Sequence, residues 1–325
     1  MTATPRTWRT ARQVDGPVPV SEADIPELNT VFSDAFSDRY RRDGMTGVRV
    51  PPLNPAIWRY AIVGAGEGAM GWRDERGQLV AFNIAHHSGA EGWMGPLCVR
   101  PDHQGAGLGS TVVRAGVSWL RRQGARVIGL ETMPRTTDNI GFYASLGFVP
   151  GALTITLTLE AVGDDRPLQL LSRRSHLERE QSVLACRSLT QRLLPGYDFT
   201  QEIDLTERLS LGDTVLLGDP LAPTGFAVCH SVSLVEGRTR DELRVLKLVL
   251  ERRSDLPAMM RTLTDFAKRA GTARVAVRLQ GDYGDAFRVL VAIGARVRWT
   301  DLRMSLHGWN EYLPTEGLVL SNWEI

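Results

Sequence analysis

Cysteine is scarce. Cys98, Cys186 and Cys229 are the only three in 325 residues. Widely spaced and odd in number, they build neither a disulfide framework nor a cysteine-rich zinc site, and they fit a reducing, cytoplasmic compartment. An excess of either charge is also missing. Lysine and arginine number 38 against 37 aspartate and glutamate, so the chain lacks the electrostatic footprint of a nucleic-acid or anionic-membrane binder. No stretch reaches the roughly 18 consecutive apolar residues of a membrane span. Residues 1–20 carry Arg6, Arg9, Arg12 and Asp15 and no continuous apolar segment, so a soluble, untargeted protein is expected. What is present is ordinary globular composition, 43% hydrophobic and 23% charged. That suffices for a sizeable core, in a length that suits two domains of about 100–200 residues each.

Hydrophobic spacing divides the chain further. A faint strand signal covers 8–14. Ser21-Glu22-Ala23-Asp24 ahead of Ile25, Leu28, Val31, Phe32 and Phe36 predicts an N-capped amphipathic helix. The Arg-, Gly- and Pro-rich stretch 41–55 has no sustained period and predicts a long surface loop. Strands are predicted at 69–73, 79–87 and 93–99, a helix from 108 to Gly124, a strand at 127–132, a helix at 139–146 stopped by Gly147, and a strand at 152–159. A linker at 161–167 follows. The same order then returns: a helix at 175–194, strands at 214–217, 225–232 and 243–250, a helix at 257–269, a strand at 274–278, a helix at 285–292 and a strand at 297–306. The halves overlay at Gly124 and Gly271, at 127–130 and 274–277, and at Gly147 and Gly294, a weak repeat of fold. We therefore expect an α/β protein with a mixed sheet, divided into domains 1–162 and 163–325.

The most informative segment runs Leu97-Cys98-Val99-Arg100-Pro101-Asp102-His103-Gln104-Gly105-Ala106-Gly107-Leu108-Gly109-Ser110. A strand enters a glycine turn and a helix starts at once, so unpaired N–H groups converge at the positive end of the helix dipole, a geometry that binds phosphate. The lysine of a P-loop is absent. Ser110 replaces the third glycine of a dinucleotide fingerprint, although Glu131 falls near the distance at which that fingerprint wants an acid.

The segment resembles the acetyl-CoA-binding motif of the GNAT acyl-CoA N-acyltransferase superfamily, Gln/Arg-x-x-Gly-x-Gly/Ala after a strand ending near Val-x-Pro. Gln104, Gly107 and Gly109 match, as do Val99 and Pro101. Asn139-Ile140-Gly141-Phe142-Tyr143-Ala144-Ser145-Leu146-Gly147-Phe148 looks like the family's second signature. The resemblance covers 8–160 and implies acetyl-CoA as co-substrate, no metal, and a small-molecule amine as acceptor. The amides from Gln104 through Gly105, Ala106, Gly107, Leu108 and Gly109 to Ser110 would hold the pyrophosphate. Leu97, Cys98 and Val99 would line the pantetheine arm, the Val99 amide would face the thioester carbonyl, and Asn139 would orient the pantetheine or the helix start. Tyr143 is the expected general acid for the departing thiolate. Many members carry a basic carboxylate on the strand before the turn, where this chain has Trp93. Glu131 is then the first candidate base, followed by Glu91, His86 and His87. Cys98 is read as a core residue. Other acyl-CoA substrates, thioester processing, and CoA sensing without turnover are the alternatives.

In the second half, Leu250-Glu251-Arg252-Arg253-Ser254-Asp255-Leu256-Pro257 stands for the turn without a glycine, and Leu290 stands for the tyrosine. This half resembles the degenerate partner domain of tandem GNAT proteins such as the mycothiol synthases, which implies that it walls the acceptor cleft. Arg252 and Arg253 are expected on a solvated turn.

Overall fold

Alternating and helical spacings resolve into twelve strands and eight α-helices among residues 13–325, which are those described by the computed structural model. The first half contains β1 (Val14–Pro19), α1 (Ile25–Arg42), α2 (Pro55–Ala65), β2 (Ala69–Asp74), β3 (Leu79–Ser88), β4 (Glu91–Val99), α3 (Leu108–Arg122), β5 (Val127–Thr132), α4 (Thr137–Ser145) and β6 (Phe148–Glu160). The second contains α5 (His176–Leu193), α6 (Thr200–Arg208), β7 (Gly212–Asp219), β8 (Ala222–His230), β9 (Glu242–Leu250), α7 (Leu256–Arg269), β10 (Arg274–Gln280), α8 (Gly284–Ala292), β11 (Arg296–Leu306) and β12 (Leu318–Ser321). The strand expected at 8–14 falls almost wholly outside the described residues; β1 begins at Val14.

The stretch expected to be a loop from 41 to 55 is shorter. α1 runs through Arg42, and α2 starts at Pro55, whose fixed φ suits a first helical position while the Asn54 side chain accepts from the Ala56 N–H. The loop between them is held from both sides. Asn29 accepts from Leu53 N (2.8 Å) and from Trp58 Nε1 (2.7 Å), and Asn54 N donates to Leu234 O of the second half (2.9 Å).

All twelve strands form one sheet, ordered β1-β2-β3-β4-β5-β11-β6-β10-β9-β8-β7, with β12 on β9. β11 of the second half therefore lies between β5 and β6, and β6 of the first lies between β11 and β10. Each half completes its sheet with a strand of the other. The β6–β11 register sets Asp301 opposite Thr154. These two residues are separated by the same interval as Gly124 from Gly271, so a pseudo-two-fold axis runs between them. The linker after β6 is pinned: Asp164 N donates to Asp265 Oδ1 (2.8 Å), and Arg269 donates to the carbonyl of Asp164 (2.7 Å).

One face of the sheet packs α1, α2, α5 and α6 into a core that both halves share, from Leu28 and Ile57 to Cys186, Ile203 and Trp323. On the other face, α3 and α4 cover the first half and α7 and α8 the second. Burying these apolar stripes at about 25 cal/mol per Å² is the main drive for folding. The shared core makes the two halves one folding unit.

Candidate active site

β4 and β5 run parallel, paired from Glu91 with Val127 to Met94 with Leu130. Beyond Met94 they part. From Gly95 to Val99, β4 has no strand neighbour on that side among the described residues, while β5 continues against β11. Arg100 N donates to Val80 O of β3 (2.8 Å). Because main-chain groups alternate along a strand, the Val99 N–H and C=O point the other way, into the opening. Gln104 Nε2 takes the Val99 carbonyl (2.8 Å).

At the end of this opening lies the glycine turn. Gly105 and Gly107 have φ of +84° and +88°, and a Cβ on either would meet nothing within 4 Å, so the turn is both left-handed and open on its outer side. Gly107 caps α3, whose first turn carries no acidic side chain. The amides from Gly105 to Gly109 have no backbone acceptor among the described residues. Converging donors at a helix start suit a diphosphate.

Tyr143 of α4 is buried between Phe142 and Phe148. Burial pushes its hydroxyl above the usual range, and the nearby Cys98 thiol adds to the shift. A hydroxyl so placed keeps its proton at neutral pH. Burial also pushes Cys98 up, so it is a protonated thiol of the core. Asn139 lies within the first turn of α4, which begins at Thr137, so it is not the cap of that helix; Thr136 is, and its hydroxyl donates to Asp43 Oδ2 (2.7 Å).

The second half has the same parting strands, but it fills them itself. β9 and β10 pair only from Glu242 with Arg274 to Arg244 with Ala276. Farther along, β12 lies against β9, Leu318 opposite Leu250 and Ser321 opposite Lys247. Tyr283 locks it, donating to Val319 O (3.0 Å). β4 and β9 are each nine residues long, so β12 covers the counterpart of Pro96 to Val99. Arg253 is not merely solvated: its Nε donates to Gly317 O (2.8 Å), which ties the chain entering β12 to the glycine-free turn. Arg252 is exposed and pairs with Asp255 (3.3 Å).

Below the first opening, on the α1 side of the sheet, sits a group of charges. Glu131 is buried, accepts from Thr154 Oγ1 (2.5 Å) and Arg303 Nε (2.9 Å), and pairs with Arg278. Burial pushes its carboxyl up, but the two guanidinium charges outweigh this and hold it at about 2. With both oxygens engaged and so low a pKa, Glu131 is a structural anion rather than the base its position suggested. Arg278 also binds Asp301 (3.0 Å) and Glu324 (2.8 Å). The three carboxylates approach within 4.8 Å of one another, with the Arg278 guanidinium already serving as their cation. Glu324 differs from the others: 52% of its side-chain surface is open.

Of the remaining candidate bases, Glu91 and His86 are engaged, whereas His87 Nε2 has no hydrogen-bond partner among the described residues. Glu91 is fully buried and accepts from Trp323 Nε1 (2.8 Å), Ser321 Oγ (2.6 Å) and Lys247 Nζ (3.3 Å). His86 stacks on Trp93 with ring centroids 4.0 Å apart, and burial lowers it to about 3. His87 is half-buried and is lowered by burial as well. Sequence reasoning had not singled out Arg278, Asp301 or Glu324. The repeat held the one available signal, since Arg278 falls on the counterpart of Glu131.

Residues 28–148 match the Acetyltransferase (GNAT) family. That segment of the chain belongs to that family. Acyl transfer is the enzyme class that GNAT membership carries. No curated protein matches the sequence. Among solved structures, a Pyrococcus horikoshii protein assigned as an acetyltransferase is 12% identical with a TM-score of 0.67, covering 99% of this chain and 98% of its own. A GCN5-related N-acetyltransferase from Sphaerobacter thermophilus is 14% identical with a TM-score of 0.58, covering 98% and 100%. A tandem GNAT protein from the clavulanic acid biosynthesis pathway is 12% identical with a TM-score of 0.58, covering 90% and 98%. At such identities these likenesses concern fold, and they extend it over both halves. No helix among the described residues is long and apolar enough to cross a membrane.

Proposed function

We propose that this GNAT protein transfers the acetyl group of acetyl-CoA to a primary amine of a small molecule, in the cytoplasm, with 1–162 as the catalytic part and 163–325 as its support. One observation carries the reading. Of two parted strand pairs, among the described residues only the first is left open and ends in a glycine turn whose amides have no backbone acceptor; the second is closed by β12. The amides from Gln104 to Ser110 bind the diphosphate. Leu97, Cys98 and Val99 offer strand-like hydrogen bonds to the pantetheine amides, as a sheet edge does to a peptide. The Val99 N–H, fixed before reaction, stabilises charge developing on the thioester oxygen. Tyr143 protonates the leaving thiolate. A thiol pKa near about 8.5 makes this help moderate. Asn139 orients the pantetheine.

The test is release of free thiol from acetyl-CoA with a panel of primary amines, together with acetyl-CoA affinity. Gly107→Glu should weaken affinity at least about tenfold by blocking and repelling the diphosphate. Gly107→Ala shares the backbone strain but not the charge and should weaken it far less. Binding without turnover on any amine would favour a CoA sensor, and faster turnover of a longer thioester would change the acyl group. Equal affinity in the wild type and Gly107→Glu would refute the site.

A further inference from the structure

β12 does more than close the second half. Directly after it the chain crosses the point where β4 and β5 part. The Trp323 ring lies over Gly129 of β5, where any Cβ would collide with it, and the Trp323 carbonyl is 3.6 Å from the place a Gly95 Cβ would take. Gly95 is the first residue of β4 beyond the paired stretch. Trp323 is itself buried, its Nε1 held by Glu91 and the Arg303 guanidinium 3.9 Å from its ring centroid. A strand clamped in one half thus delivers a rigid aromatic, and the residue after it, to the floor of the opening in the other.

We propose that Glu324 is the proton acceptor of the acyl transfer, held at the first-half opening by the β12 segment that closes the second. This rests on the function proposed above and adds its missing base. Three features of the geometry distinguish Glu324 from the other acids. Its side chain is the open one of the Arg278-linked three. Arg278 Nη1 fixes Oε2 at 2.8 Å, and Oε1 has no hydrogen-bond partner among the described residues. It also lines a small cavity with Trp93 of β4, two residues before Gly95, and with Lys247 and Glu202. The charged and titratable groups around it are Tyr40 of α1, Tyr60 of α2, His86 and His87 of β3, Glu131 of β5, Glu202 of α6, Arg244 and Lys247 of β9, Arg278 of β10 and Asp301 of β11. Enclosure pushes the Glu324 carboxyl up, Arg278 pulls it down, and Asp301 and Glu131 push it up again, to about 7.

The step balances. The amine nitrogen bonds to the carbonyl carbon and the carbon–sulfur bond breaks. Oε1 takes the proton the nitrogen sheds, and the Tyr143 hydroxyl gives one to the sulfur. Solvent then returns a proton to Tyr143 and removes one from Glu324. An alkylamine with a pKa of about 10 is mostly protonated at neutral pH, so it first releases one proton to solvent and attacks as the free amine; the proton Oε1 takes is the second, shed as the amide forms.

The experiment measures kcat/KM against pH on primary amines from butylamine to spermidine, with acetyl-CoA affinity recorded in parallel. In the wild type the acid limb should lie near pH 7, well above the ordinary carboxylate range. Glu324→Gln should lower kcat/KM by about 10²–10⁴-fold, flatten that limb and leave acetyl-CoA affinity unchanged. Glu324→Ala should regain part of the activity when formate is added, a rescue that a purely structural role does not give. An unchanged rate and limb in Glu324→Gln overturns the proposal while leaving acyl transfer intact. Absence of turnover by the wild type on every amine overturns both.

Discussion

Glu131 of β5 and Arg278 of β10 hold equivalent places in the two halves and pair with each other across the pseudo-two-fold axis. The sheet brings them together because β11 and β6 exchange places, and each is nine-tenths or more buried. Removing one charge strands the other. Arg278→Met should cost roughly 3–5 kcal/mol in urea unfolding, because Asp301 is then buried without its guanidinium and Glu131 keeps Arg303 alone. The double variant Glu131→Leu/Arg278→Met should recover part of that loss, since Asp301 still lacks its cation, and recovery of none would show that Glu131 and Arg278 are not coupled.

The same carboxyl sets a pH window. Its folded pKa of about 2 lies below the ordinary value of 4.5, so the unfolded chain binds the proton more tightly. The stabilisation is therefore full above pH 4.5 and drains as the pH falls toward 2. The difference in unfolding free energy between the wild type and Glu131→Gln should be constant from pH 7 to pH 5 and shrink measurably by pH 3.5. A difference that grows on acidification would contradict the ion-pair origin.

Amide hydrogen exchange distinguishes the open from the closed strand pair. In the protein alone, Leu318–Ser321 should be protected, since β12 has β9 on one side and Tyr283 on the other. Acetyl-CoA should add protection at Leu97, Val99 and the glycine turn and change nothing in β12. Slowing confined to β9 and β12 would place the ligand in the wrong half.

Much of this was readable beforehand, and the exceptions share a cause. The turn from Leu97 to Ser110 and the helix around Tyr143 were legible because local chemistry fixes them: positive-φ glycines, a helix start and an aromatic pair. Repeat positions such as Gly147 and Gly294 were legible for the same reason. α2 was hidden by the Pro-rich approach to Pro55, where proline starts a helix rather than breaking one. β12 was hidden because four residues give too little period. The ionic fate of Glu131 depends on Arg278 and Arg303, which arrive only when the halves exchange strands. Glu324 has a role only because β12 docks where it does. Local pattern cannot report a contact made by long-range pairing.

Tyr143 offers a separate test of the acid. Tyr143→Phe keeps the ring between Phe142 and Phe148 and removes only the hydroxyl, so acetyl-CoA affinity and thermal stability should hold. kcat should fall about 10–100-fold with little change in the amine KM, since the lost contact acts on the leaving thiolate. Replacing acetyl-CoA by a thioester with a more acidic thiol should narrow the gap between variant and wild type, because a better leaving group needs less protonation. An equal deficit on both thioesters would make Tyr143 a packing residue.

Gly129 connects packing to chemistry. A methyl group there would collide with the Trp323 ring and would also lie 3.1 Å from the Met304 carbonyl. Neither neighbour is a free side-chain end, so Gly129→Ala should cost roughly 1–3 kcal/mol by overpacking. The segment that yields is the one after β12, and Glu324 moves with Trp323. The amine kcat/KM should therefore fall well beyond what stability accounts for at a temperature where the variant is folded, while acetyl-CoA affinity, set at the far end of the opening by Gly105 and Gly107, stays at the wild-type value. A variant that loses cofactor affinity and amine turnover in proportion would show that Gly129 shapes the opening itself rather than the base beneath it.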